Sequence, residues 1–141
     1  AGKGKTMAKE KTCRERWAEH KNGRIRDIRK LWKLYLAGED DDDPEIGSLN
    51  DYGLSFDFAP SSATGCGFFR WQLSTGGPGD EFRFYVSPDL GLDRVEYWFL
   101  DWFDGHGRPL TGADFDLLME LWGDFFRETG AARYALEAAG E

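Results

Sequence analysis

The chain reads as an α+β domain, and three observations carry that reading. Aromatic runs separated by Gly/Pro/Asp clusters between Phe68 and Phe103 have the pattern of consecutive antiparallel strands. An amphipathic stripe, Ile25, Ile28, Leu31, Trp32 and Tyr35, recurs at helical spacing before them. A second stripe, Phe115, Leu118, Met119, Trp122, Phe125 and Phe126, follows them. The expected order is an N-terminal helix, a four-stranded antiparallel meander and a C-terminal helix packed on the sheet. With 141 residues and 16% aromatics, one domain can bury a sizeable core without staples.

Residues 6–21 have helix-friendly composition but few large apolar side chains, and Asn22-Gly23 reads as a break. Residues 24–37 form the amphipathic helix, which Gly38 ends as a C′ glycine. Residues 39–50 hold Asp40 to Asp43, adjacent carboxylates that repel one another, and read as a solvated linker. The expected organisation is a basic head over 1–38, that linker, and an acidic body over 51–141 with the head docked on it.

The first strand is expected over Tyr52 to Phe58, with Tyr52, Leu54, Phe56 and Phe58 inward. The second places Phe69, Trp71 and Leu73 on one face, and the third Phe82, Phe84 and Val86. The fourth, Val95 to Trp102, is apolar on both faces, as a central or doubly covered strand is. Asp104 to Pro109 reads as a turn. Thr111 fits an N-cap, with Asp114 completing an acidic capping box, and the helix is expected to reach Glu128. A short alanine-rich helix over 131–139 closes the chain. The N-terminal helix is expected on the other face of the sheet or at an edge.

Cys13 and Cys66 fall in dissimilar segments, and a reduced cytoplasmic protein is the expectation. No apolar run approaches the ~20 residues that span a bilayer, and the basic start lacks the apolar core of a secretory leader. The two histidines, His20 and His106, lie far apart, and no Cys/His/carboxylate cluster has metal-site spacing, so no cofactor is expected. Asp101 and Asp104 flank Trp102-Phe103. With His106 they are the one constellation that suits acid/base work, and capping of the strand end accounts for them more simply.

Charge is the informative quantity. Residues 1–36 hold 12 of the 18 Lys/Arg and 4 of the 26 Asp/Glu, a net +8, while the remainder carries −16. Such asymmetry selects partners by charge. The acids expected to face a partner are Asp57, Asp80, Glu81, Asp114, Asp116, Glu120, Asp124 and Glu128. The cations able to lie on phosphates are Lys11, Arg14, Arg16, Lys21, Arg24, Arg26, Arg29, Lys30 and Lys33. The same cations can instead dock on the acidic body within one molecule.

Three stretches carry a resemblance: Tyr52-Gly53-Leu54-Ser55-Phe56-Asp57, then Phe69 to Pro78 with Asp80 to Tyr85, and Glu96 to Gly105. Over residues 50–128 the chain resembles short acidic accessory proteins of proteobacterial phages, plasmids and integrative elements. The resemblance implies a setting in which small acidic proteins inhibit host defence, as anti-CRISPR and anti-restriction proteins do. In that setting an acidic body can occupy the Lys/Arg channel that such a complex presents to DNA, so the expected function is non-enzymatic binding of a host nucleic-acid-binding complex through an acidic surface, as a DNA mimic does. The alternative is a nucleic-acid-binding accessory protein that uses the basic head.

Overall fold

A computed structural model describes residues 12–38, 43–60, 67–76, 78–101 and 104–140. The elements run α1 (Cys13–Leu36), a one-turn α2 (Leu49–Tyr52), β1 (Ser55–Ala59), β2 (Phe68–Ser74), β3 (Gly79–Val86), β4 (Leu92–Asp101), β5 (Asp104–Pro109), α3 (Gly112–Leu121), a π-helical segment (Trp122–Arg127) and α4 (Ala131–Ala139). The fold is α+β, and the sheet is an antiparallel meander in the order β1-β2-β3-β4-β5.

That is five strands, not four. The stretch expected to be a turn, Asp104 to Pro109, pairs along β4 from Asp101↔Asp104 to Glu96↔Pro109. Its glycines, which read as turn residues, are there for space. A Cβ on Gly107 would sit 2.0 Å from the Trp98 indole, and one on Gly105 would sit 2.9 Å from Leu100. Both large side chains of β4 lean over a bare backbone. Gly107→Ala is therefore expected to displace Trp98 and cost about 1–3 kcal/mol by overpacking. A lowered melting temperature with red-shifted tryptophan fluorescence is the readout.

The N-terminal region is one helix from Cys13 to Leu36, so Asn22-Gly23 does not break it. Thr12 caps it reciprocally: its side chain accepts the Glu15 N–H, and Glu15 accepts the Thr12 N–H at 2.8 Å. Helical packing outweighs the local preference of Asn and Gly because Ile25, Ile28, Leu31 and Trp32 are all buried.

This helix lies on the same face as the C-terminal one, not on the other face. Trp17 donates its indole N–H to the Tyr97 carbonyl at 2.7 Å, and His20 stacks on Phe99 at 4.3 Å. Trp122 packs beside Phe69 and Phe84 with ring centroids 5.1 and 5.3 Å away. Phe69, Phe84, Tyr97 and Phe99 belong to one side of the sheet by strand alternation, and all are buried. Both helices therefore compete for one apolar face, and they meet where the Trp32 indole donates to Glu120 at 2.7 Å.

The opposite face has a lining of its own. Asp57, Arg70, Arg83 and Glu96 stand in one cross-strand row. The Arg83 guanidinium lies 4.2 Å from the Trp98 ring centroid and 4.8 Å from that of Phe68. Two arginines flanked by two carboxylates, with guanidinium planes over the rings, let this face carry aromatics beside water.

Three local expectations shift. Tyr52 belongs to a helical turn and Leu54 is exposed, so the first strand begins at Ser55. Gly53 explains the join, because a Cβ there would meet the Trp71 indole at 2.2 Å. Met119 is exposed rather than part of the buried stripe. Thr111 makes no side-chain cap, and Asp114 pairs with Lys21 instead. The aspartate run 40–42 and Cys66 lie outside the described residues. Asp43, at the end of that run, is ordered and buried, and its backbone pairs with Gly47. Cys13 is a buried free thiol, and burial together with the Asp104 carboxylate pushes it up.

Candidate functional site

The charged residues singled out in the sequence divide into those the fold consumes and those it presents. Four cations of α1 pair with acids of the linker and the body. Arg16 meets Asp101 at 2.8 Å, Lys21 meets Asp114 at 2.5 Å, Arg24 meets Asp80 at 2.7 Å and Lys30 meets Asp43 at 2.8 Å. The helical period places these residues along the body-facing flank of α1, so the charge split is partly an internal complementarity.

Asp80 is the centre of this set. Its carboxylate accepts two bonds from Arg24, one from the Ser74 hydroxyl and one from the Tyr97 hydroxyl, the last two at 2.5 Å. A register shift between Gln72 and Ser74 turns the Ser74 side chain toward it. Burial opposes ionisation of Asp80. The bonds from Arg24, Ser74 and Tyr97 outweigh it and hold the carboxyl below the usual carboxylate range. Burial raises the Tyr97 phenol, as does the Asp80 charge. Tyr52 donates to Asp27 and accepts from Arg24, and burial pushes it up to about 12. The hydrogen bond from Lys30, with the N–H groups of Ile46 and Glu45, lowers Asp43 to about 2.

Glu81 is buried and ion-paired with Arg83 at 2.6 Å, while Asp57 is half exposed and paired with Arg70 at 2.8 Å. Asp80, Glu81, Asp57 and Asp114 thus have partners inside the molecule. The remaining four of the acids named from the sequence, Asp116, Glu120, Asp124 and Glu128, are exposed and make no ion pair among the described residues. They stand at a constant step of four. An α-helical turn takes 3.6 residues and a π-helical turn takes more, so drift in α3 is offset in Trp122–Arg127. Asp116, Asp124 and Glu128 form a ladder on the outer side of one continuous helical rod, and Glu120, in step with them, accepts the Trp32 indole N–H at the α1 junction. Sequence spacing alone placed these acids on a polar face; the π segment that keeps them aligned had no sequence signal.

On α1, Arg26, Arg29 and Lys33 are exposed and also make no ion pair among the described residues. They form an outward basic stripe. Arg14 is likewise exposed without an ion pair among the described residues.

The acid/base trio does not assemble. Asp101 is taken by Arg16, and Asp104 accepts the Cys13 N–H at 2.8 Å. That hydrogen bond lowers the Asp104 carboxyl. His106 sits edge-on to Trp17 at 6.2 Å. Among the described residues no group of His, Cys, Asp and Glu is arranged to hold a metal ion, and no helix is long and apolar enough to cross a membrane. Compared with protein-family models, with curated proteins and with solved structures, the chain matches none.

Proposed function

We propose that the protein is a non-enzymatic inhibitor of a host nucleic-acid-binding defence complex, acting through an acidic surface that competes with nucleic acid. The observation that supports this reading is the ladder Asp116, Asp124 and Glu128 with Glu120 in step, all exposed and without ion pairs among the described residues. Its charges recur about every 6 Å along the helix axis, against about 3.4 Å for one strand of DNA. The ladder is therefore a dilute strand mimic. It suits a Lys/Arg groove in a protein, whose long side chains reach over such a gap.

The test is a phage-plating assay in bacteria with active CRISPR or restriction immunity. Expression of the chain is expected to restore plating of a targeted phage. Asp116→Lys, Asp124→Lys and Glu128→Lys together are expected to abolish this with the melting temperature unchanged, since exposed substitutions away from paired groups stay within about 0.5 kcal/mol. Full inhibition by the triple variant would sink the charge mechanism.

A second reading rests on the stripe Arg26, Arg29 and Lys33: an accessory protein bound to nucleic acid through α1. Deleting residues 1–38 cannot separate the two readings, because it removes buried Ile28, Leu31 and Trp32 from the core. Serine at the three stripe positions can. The second reading expects DNA binding whose salt slope falls by roughly 0.7–0.9 for each phosphate that α1 no longer neutralises. The first expects no DNA binding that depends on these three positions.

A further inference from the structure

A cleft of about 470 Å³ opens between the first half of α1, strand β5 and the start of α3. Neither the ladder nor the basic stripe touches it. Arg14 and Arg108 project from its two sides, both exposed and without an ion pair among the described residues. Lys21 also lines it but is neutralised by Asp114. The cleft is thus an island of net positive charge on a chain of net charge −8. Trp17 and His106 form one wall, their rings edge to face. At the rim α3 begins with Thr111, whose side chain caps nothing, and with Gly112 at φ 59. The first-turn N–H groups have no side-chain cap, and Asp114, spaced to accept the Thr111 N–H, is drawn to Lys21.

We propose that this cleft binds the phosphate group of a nucleotide. Three independent features agree on the chemistry. Two guanidinium forks match phosphate geometry. An uncapped helix start adds N–H donors and the positive end of the helix dipole. The volume lies within the roughly 300–1,000 Å³ of small-molecule sites and exceeds what inorganic phosphate fills, and the Trp17 ring with Leu110 and Pro109 offers a surface for a base. The phosphate belongs either to a free nucleotide or to the 5′ end of a strand.

The test is calorimetric titration of the full chain at low salt with inorganic phosphate, AMP and a 5′-phosphorylated pentanucleotide. AMP is expected to bind at least about tenfold more tightly than inorganic phosphate. Arg14→Ser with Arg108→Ser is expected to weaken AMP at least about tenfold, while Arg26→Ser with Arg29→Ser changes it less than about twofold. Tighter binding of the pentanucleotide than of AMP assigns the strand end, the reverse order assigns the free nucleotide, and either supports the proposal. If the double serine variant melts early, the NMR shift of the Trp17 indole N–H on adding AMP to the unaltered protein decides instead. No binding of any probe at millimolar concentration, equal binding of phosphate and AMP, equal loss in the control variant, or an unmoved Trp17 signal overturns it.

Discussion

Asp80→Asn is expected to destabilise the fold by about 3–5 kcal/mol, because removing one partner of a buried ion pair strands the other. The Asp80 side chain is 4% exposed and that of Arg24 25%, so the guanidinium keeps some water and the lower end of the range applies. An asparagine keeps the volume and one acceptor oxygen. It loses the charge that Arg24 pairs with through both oxygens, and its amide N–H groups face donors. Tyr97→Phe removes only one of the four hydrogen bonds and is expected to cost about 1–2 kcal/mol. Combining Asp80→Asn with Arg24→Met is expected to recover part of the loss, since the uncompensated cation is gone. Urea unfolding of the parent, the two single variants and the double variant measures the cycle, and additive losses would show that the pair is not coupled. The pH dependence has a definite sign. Asp80 is held below its unfolded value of about 3.9, so its contribution is complete above that pH and is lost as pH falls through the folded value. Asp43 acts the same way, between about 4 and its folded value of about 2. Acid unfolding of Asp80→Asn is expected to lack much of the steepening below about pH 4 that the parent has.

Trp122→Ala is expected to cost about 3–5 kcal/mol, the range for emptying a buried aromatic site. Trp122 is 2% exposed and packs against Phe56, Phe69, Phe84 and Phe126, which come from three strands and its own rod. Its indole N–H also holds the Leu90 carbonyl at 2.9 Å. Leu90 has φ 68, a left-handed conformation costly for a residue with a Cβ, so that bond helps to secure a strained turn before β4. Trp122→Phe keeps most of the packing and loses the bond. Its expected cost is about 1–2 kcal/mol, with raised hydrogen exchange around Ser87 to Gly91. Exchange there unchanged from the parent would mean that the turn holds itself.

What the sequence allowed to be read follows from how local each signal is. Strands β2 and β3 showed their alternation openly, because one face of each is apolar and the other carries charged or polar side chains, while β4 was legible as a run apolar on both faces. Strand β5 hid because its glycines serve the side chains of β4, and no property of β5 itself records that need. The Thr12–Glu15 capping box was present in the residues and went unread, whereas Thr111 with Asp114 had the same spacing and did not form. The difference lies in Lys21, 93 residues from Asp114, which claims that carboxylate. The candidate site shows the same limit. Eight acids looked equivalent in sequence, and only tertiary pairing separates Asp80 and Glu81, which are buried and ion-paired on the two faces of β3, from the ladder residues exposed on the helical rod.

The reach of those pairings bears on the order in which the protein assembles. The sheet is built of neighbours and needs little chain to close each hairpin. Helix α1 is different: its bonds to Tyr97, Asp101, Asp104, Asp114 and Glu120 span 80 to 93 residues. At roughly 5–20 residues per second, synthesis leaves the first helix without these partners for about 4–20 s. During that interval its stripe of Ile25, Ile28, Leu31 and Trp32 has no sheet to lie on. Helix α1, made before the sheet, is expected to dock after it, and the protein's exposure to misassembly is concentrated in that wait.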